Sequence, residues 1–460
     1  MKCFRIRRWF SNALVGLFSI RLLISFAAIV AASILLSSCA VPGPLKEGMR
    51  PTIKSVTIWP TTNAGDPKWY GNSHLVFSTN LCSECSPKLM VTPRDEFAPK
   101  ELSPPPPIGI GGKPDWAAYW EGVLFGKPDI YDHMMVSHYG RGGIAIHDFK
   151  SKKTTPVTNN GKLDLSIWAG PIFVLEGSRI AFAHRDNTGV IKIITIDKDG
   201  SNELILMDGI IIEDPKYFWF GMSTNMHGTT LVYTVSNENE ALLGEIDLRS
   251  RRHATLFKTN EKVGIEPTHP SFFIFGADPQ EVIPRGYTAS PALNDPEYNK
   301  DGSKISYIRS IMGASSWNPM SWLEYEWKTR QLFVYSKATG KIRQVTPDDS
   351  VILGSDWYGD ELYFIGSIGS QSGLWHTDES GQIKQLLSFV CNKKPRSVKV
   401  PPNRKRIAFF CNKTFGSVEF SPNGKYIAFS THDLRGGMVG IARMQRAVRL
   451  ALHTLSRFLW

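Results

Sequence analysis

The sequence predicts an all-β fold, a β-propeller of four-stranded antiparallel blades, and three observations carry that prediction. First, "CNKKPRSVKVPPNRKRIAFF" (391–410) lies directly against "CNKTFGSVEFSPNGKYIAFS" (411–430), a tandem repeat with no residue between the copies. Second, a turn residue followed by an aliphatic-x-aromatic strand recurs along the whole chain. Third, a different strand–turn–strand phrase follows most of these. A fixed period reports one small unit arrayed several times, and ~40–50 residues suits a four-stranded propeller blade.

The clearest unit is the second tandem copy. Val418 and Phe420 alternate with polar neighbours, Pro422-Asn423-Gly424 reverses the chain, and Tyr426-Ile427-Ala428-Phe429 returns as a strand of β-formers. Asn and Gly accept positive φ, so they close such a ribbon without strain. The first copy has Arg404 in place of Gly424 and is expected to turn less tightly. The same phrase appears at Gly71, Gly122, Gly177, Gly228, Gly302 and Gly359, at steps of 51, 55, 51, 74 and 57 residues. The long step holds an insertion in a connecting loop. Second hairpins are read at 143–158, 190–207, 242–257, 331–350 and 372–387. Counting the tandem copies as one unit gives seven blades, with six as the alternative if the unit at Gly71 is peripheral.

"FSPNGKYIAFS", "NKDGSKISYI" and "LEGSRIAFAH" resemble the repeat of the TolB-like β-propellers, in which a Ser-Pro-Asp-Gly-Lys turn precedes an Ile-Ala-Phe strand. The resemblance runs diffusely over about 70–450, and Asn423 replaces the family's Asp. No small α/β domain is recognisable ahead of the propeller, so the resemblance implies an architecture more than a shared role.

The N-terminus speaks to compartment. Lys2, Arg5, Arg7 and Arg8 precede the apolar run 22–36, a basic region and a hydrophobic region fitting a secretory signal and short for a ~20-residue membrane span. Leu36-Ser37-Ser38-Cys39 resembles the bacterial lipobox, which implies cleavage before Cys39 and acylation of its thiol; an uncleaved anchor helix is the alternative. Ala40 after the cysteine leans towards the outer membrane. The expected organisation is a signal peptide (1–38), a Pro/Gly-containing tether (39–54), the propeller (55–442) and a basic tail (443–460).

Composition adds exclusions. The chain is 42% hydrophobic and 21% charged, ordinary for a globular protein. Of the net charge of +11, five positive charges lie in the signal and four in the last eighteen residues, leaving the propeller near +2 and little ground for a nucleic-acid partner. With Cys3 removed and Cys39 acylated, Cys82, Cys85, Cys391 and Cys411 remain in a disulfide-permissive setting. Pairing 82 with 85 and 391 with 411 is preferred among three connectivities, and a zinc site is disfavoured by the spacing of the second pair.

Catalytic signatures are wanting. "GNSHL", "GMSTN" and "GASSW" begin a Gly-x-Ser-x-Gly elbow and fail at its last position. "PPPPIGIGGKP" (104–114) lacks the third glycine of a phosphate cradle and reads as an extended connector between blades. His133, His138 and His147, beside Asp132 and Asp148, read as surface or satisfied residues, so neither a metal nor a cofactor is expected. Trp317, Trp322 and Trp327 either fill gaps between blades or form a rim that grips a partner.

The reading is therefore a non-enzymatic envelope lipoprotein whose propeller binds a protein, peptide or glycan, tied to the membrane by its lipid. The alternative is a propeller enzyme of lyase or glycosidase type with its site at the axial opening, and carboxylates or histidines clustered at one end of the axis would reverse the preference. At the C-terminus, Arg443, Arg446, Arg449, His453 and Arg457 fall on one helical face and Met444, Val448, Ala451, Leu455 and Phe458 on the other. This helix is expected to cap the open edge of the last blade, with membrane binding or an accidental tail as alternatives.

Overall fold

Among the described residues of a computed structural model of the chain, seven four-stranded antiparallel sets follow one another. The described residues lie within 51–445, leaving out 62–63, 80–87, 103–105, 127, 159–169, 187, 189, 212–218, 238–239, 262, 265–287, 290, 317–323, 379, 392–398, 401–405, 410–414 and 434–435. Blade 1 comprises Ala64–Tyr70, His74–Thr79, Lys88–Pro93 and Lys100–Glu101. Blade 2 comprises Asp129–Tyr131, Met134–Tyr139, Gly143–Asp148 and Lys153–Pro156. Blade 3 takes Ile172–Val174, Arg179–Arg185, Val190–Asp197 and Leu204–Ile211. Blade 4 takes Trp219–Thr224, Thr230–Ser236, Ala241–Asp247 and Arg252–Thr259.

These four are separate sheets, and a fifth sheet of five strands contains blade 7. The remaining two sets share one nine-stranded sheet, joined by a single parallel bridge from Arg330 to Val351. They are blade 5 (Ala292–Tyr298, Lys304–Ser316, Glu324–Ser336, Lys341–Gln344) and blade 6 (Ser350–Tyr358, Glu361–Ile368, Gln371–Thr377, Ile383–Cys391). Counted as separate four- or five-stranded sheets the blades number five, and as antiparallel sets seven.

Packing supports the larger count, because apolar clusters join each set to the next and the last to the first. Val76 and Leu89 cluster with Met135 and Ala145 of blade 2, and Val136 and Ile144 with Phe182 and Ile194 of blade 3. Ala181 and Ile193 meet Leu231 and Tyr233 of blade 4, and Val232 and Leu243 meet Leu293 and Tyr307 of blade 5. Ile308 and Leu332 pack with Phe364 and Trp375 of blade 6, whose Tyr363 and Leu374 pack with Val418 and Phe429 of blade 7. Trp69 and Phe77 of blade 1 close the circle against Val439 and Ile441. Burying both faces of every inner sheet is what drives this arrangement.

Blade 7 is built from both ends of the propeller. Phe415–Phe420, Tyr426–Asp433 and Gly436–Gln445 are joined by Thr52–Thr61, which pairs antiparallel with the last of them from Thr52 opposite Gln445 to Thr61 opposite Gly437. Three expectations are corrected here. The last blade has its fourth strand from the N-terminal side, in place of the open edge expected there; residues 446–460, expected to cap that edge, lie outside the described residues. Arg443 and Met444 belong to a strand, with Arg443 opposite Tyr426 and Met444 buried, rather than to the start of a helix. That strand pairing begins at Thr52, three residues inside the segment read as tether.

The tandem copies have different fates. The second forms the predicted hairpin, with Gly424 at φ 63°. The first supplies edge strands: Lys399–Val400 pairs with Val56 and Thr57 of blade 7, and Arg406–Phe409 runs parallel to Ser388–Cys391 of blade 6. Without a glycine at 404, that copy lacks the residue that closes the hairpin in its twin. Gly71, Gly177, Gly228, Gly302 and Gly359 all have positive φ at the turn after a first strand. Gly122 does not, because it ends the short helix Trp116–Gly122; the turn of blade 2 is made by Asp132 at φ 53°. Asp tolerates this conformation better than most side chains.

Candidate functional site

The seven first strands touch one another in order around the axis. Each ends at the tight turn into its second strand, so these turns share one face of the propeller, here the hairpin face. The chain enters the propeller at Thr52 and leaves at Gln445 on that same face. The blade-to-blade connections lie on the opposite, loop face.

Register defines one level of the axis near the hairpin face. The first-strand residue opposite the third residue of each second strand is Lys68 (Val76), Asp129 (Val136), Ile172 (Ala181), Ser223 (Val232), Glu297 (Ser306), Asp356 (Tyr363) and Glu419 (Ala428). All seven are half-buried, while Trp69, Phe173, Tyr298, Val418 and Phe420 beside them are buried. Alternate residues of a strand point to opposite sides, so this pattern places the seven around the axial passage. The ring carries one cation and four carboxyl groups.

Lys68 sits between the acids of both neighbouring blades. Its Nζ lies 2.8 Å from Glu419 Oε2, with the two side chains 31% and 25% exposed. Burial works to lower the lysine's pKa, but Glu419, Glu297 and Asp129 together outweigh it, and the net direction is upward. Two acids are tied to the next blade by the same bond: the Phe173 amide donates to Asp129 Oδ2 and the Phe420 amide to Asp356 Oδ2, each at 2.7 Å. Asp356 Oδ1 also accepts from the Trp357 amide at 2.7 Å. Two tryptophans repeat a further link, the Trp69 indole donating to the Glu419 carbonyl at 3.0 Å and that of Trp357 to the Glu297 carbonyl at 3.2 Å.

Burial dominates the acids' titration. It pushes Glu297 up to about 8, with Lys68 pulling back and Asp356, Glu419 and Asp295 adding to the rise. Burial and then Glu419 push Asp356 up to about 7, against its two amide bonds and Lys68. Asp129 and Glu419 are raised by burial against the opposing pull of Lys68. Among the described residues, the Glu297 carboxyl has no hydrogen-bond donor. The arrangement can therefore present a neutral carboxyl pair, Glu297 and Asp356 on adjacent blades, beside a neutralised Lys68–Glu419 pair.

Sequence reasoning missed this ring. One local signal was available, Asp66-Pro67-Lys68-Trp69 matching Asp295-Pro296-Glu297-Tyr298; in both, the Asp has positive φ within a register shift of its hairpin. Of the residues singled out, Cys39, Cys82, Cys85, Cys411, Trp317 and Trp322 lie outside the described residues. Cys391 ends the fourth strand of blade 6, and Trp327 lies in the third strand of blade 5 opposite Met312. The histidines gather in blade 2: His133 contacts Asp132, His147 Nδ1 lies 3.0 Å from Thr154 Oγ1, and His138 is buried. No group of three or more His, Cys, Asp or Glu among the described residues is placed to hold a metal.

No protein family's sequence profile matches the chain, and no curated protein matches it. Solved structures do. An oligogalacturonate lyase in complex with manganese aligns with a TM-score of 0.50 at 12% identity, over 87% of this chain and 97% of that one. The oligogalacturonate lyase of Vibrio parahaemolyticus gives 0.47 at 8%, over 86% and 98%. TolB from Acinetobacter baumannii gives 0.38 at 11%, over 85% and 81%. At these identities the first likeness supports the propeller fold and nothing finer.

Proposed function

We propose that the protein is an envelope lipoprotein, anchored through Cys39, whose propeller binds a protein or peptide at the axial ring without transforming it. The observation that carries the binding role is the engagement of the ring's charges. Lys68, Glu419, Asp129 and Asp356 are bonded to one another or to the neighbouring blade's backbone, which makes them fixed recognition elements rather than groups released for proton transfer. The anchor rests on the lipobox-like Leu36-Ser37-Ser38-Cys39 after a basic and then an apolar segment. Ala40 after that cysteine supports an outer-membrane placement.

The enzyme reading is favoured by one specific feature. Glu297 and Asp356 are clustered carboxyls raised towards neutrality, the property of a general acid or base. Against an anionic uronate substrate the ring offers one cation, Lys68, which is already paired with Glu419. Incubation with oligogalacturonate and other oligosaccharides, followed by ultraviolet detection of unsaturated product and by reducing-end assay, is expected to show no turnover. Turnover abolished by Glu297→Gln would overturn the non-enzymatic reading. The anchor is tested separately by mass spectrometry of the mature N-terminus, where an intact segment from residue 2 through an unmodified Cys39 would refute it.

A further inference from the structure

We propose that the connection between blades 1 and 2 is a membrane-dipping tip whose Ile108, Ile110 and Trp116 enter a lipid surface; this rests on the lipid-anchor reading above. These side chains are 78%, 103% and 57% exposed, the three most exposed among the large hydrophobic residues described apart from Met226 at 61%. Scattered exposed apolar residues are ordinary, but three within nine positions of one connection are not.

The tip is held out by its backbone. Ile108 forms a bridge with Pro114, the Gly109 amide donates to the Lys113 carbonyl at 2.8 Å, and the Asp115 amide donates to the Pro107 carbonyl at 2.8 Å. Gly111 and Gly112, at φ 80° and 72°, make the reversal between them. Below the tip, Asp115 Oδ1 accepts from the Ala117 and Ala118 amides at 3.1 Å, and Tyr119, Val123 and Phe125 form a buried cluster that roots the helix. The two isoleucines therefore stand outward on an ordered loop instead of folding back onto the blade.

A bilayer suits this shape better than a protein does. Three side chains on a convex tip offer far less than the ~800 Å² per partner of a stable protein interface. A membrane needs only the tip to dip, with an indole at the interface and a lysine stem reaching back to the headgroups. Lys113 lies within the tip; of the nearby acids, Asp115 caps the helix and Glu101 pairs with Lys88 at 2.7 Å, while Glu121 is exposed at the far end of the helix from the tip.

Reach is adequate as well. The tip lies on the loop face of blade 1, beside blade 7, where the chain enters the propeller at Thr52 on the hairpin face. The thirteen residue steps from Cys39 to Thr52 span at most about 45 Å, and the ten-residue strand Thr52–Thr61 rises about 33 Å. A tether from an acylated Cys39 is long enough to pass the height of a blade and allow both contacts in one bilayer.

The test uses the full chain, processed by its host, in phosphatidylethanolamine/phosphatidylglycerol vesicles carrying a lipid with a photoreactive acyl chain. Cross-links are expected in the peptide containing Ile108–Trp116. The double variant Ile108→Asp, Ile110→Asp is expected to lose at least about tenfold of that yield while keeping its melting temperature, since both side chains are exposed. Lipid on Cys39 with no cross-link in this peptide, or an equal yield from the double variant, overturns the proposal. Cross-links in the peptide on a chain whose Cys39 is unmodified would instead sink the anchor reading and leave the tip standing.

Discussion

Glu297 is expected to make the propeller less stable as pH rises through neutrality, and Glu297→Gln to remove that residue's share of the loss. Burial on the axial ring raises its pKa to about 8, against an ordinary 4.5 in the unfolded chain. Between those values the folded protein holds a proton that the unfolded chain has released. Stability contributed by this group therefore falls with increasing pH across the window and is greatest below it. At about 1.4 kcal/mol per pH unit the full interval corresponds to roughly 5 kcal/mol. The residue is half-buried rather than fully buried, and solvent screening reduces the realistic effect to about 1–2 kcal/mol. Glutamine reproduces the shape of the neutral acid without the titration. Urea unfolding of both proteins at pH 5 and pH 8 checks this: near-equal stability at pH 5 and a variant about 1–2 kcal/mol more stable at pH 8 are expected. A variant no more stable than the parent at pH 8 would show that Glu297 ionises there without penalty and would refute the buried ring.

Lys68→Met should cost about 1–3 kcal/mol at neutral pH by leaving Glu419 and Asp129 without their cation, and the loss should shrink on acidification as the acids take up protons; denaturant titration at pH 5 and pH 7 reads both effects. Gly302→Ala should cost about 1 kcal/mol from backbone strain alone, because φ is 72° and the nearest atom to an added Cβ is 4.0 Å away. Gly424→Ala should cost clearly more by the same thermal measurement, since its Cβ would stand 2.0 Å from the Tyr358 ring. Cys39→Ser should abolish metabolic labelling with a fatty acid and leave an unprocessed precursor.

The blade pattern was legible in the sequence because it is written locally. A turn residue with positive φ and an alternating second strand occupy fixed neighbouring positions, so Gly177, Gly228, Gly302, Gly359 and Gly424 could each be placed without knowing the rest of the chain. The failures fall where that locality breaks. At Gly122 the right residue type stood before Val123-Leu124-Phe125, but the helix ahead of it claimed the glycine, and Asp132 made the turn instead. Closure of blade 7 was invisible because Thr52–Thr61 and Gly436–Gln445 lie at opposite ends of the propeller, and nothing in either strand names its partner.

The axial ring escaped notice for a sharper reason. Its members lie three positions ahead of the turn residue in Lys68, Asp129 and Asp356 but five ahead in Glu297 and Glu419, because the turns differ in length. Counting from the turn therefore scatters the ring, whereas counting across the hairpin from the third residue of the second strand aligns all seven. The charges also look unremarkable in isolation: an acid or a lysine at an alternate strand position ordinarily marks a solvated face. What turns that face inward is the circular closure, which brings seven separately solvated edges together around one axis and makes each charge answer to its neighbours. Lys68 illustrates the consequence, since the acids it faces belong to blades 2, 5 and 7, whose sequences run from 129 to 419. A site of this kind is a property of the ring rather than of any repeat, and it becomes readable only once the register of every hairpin is known.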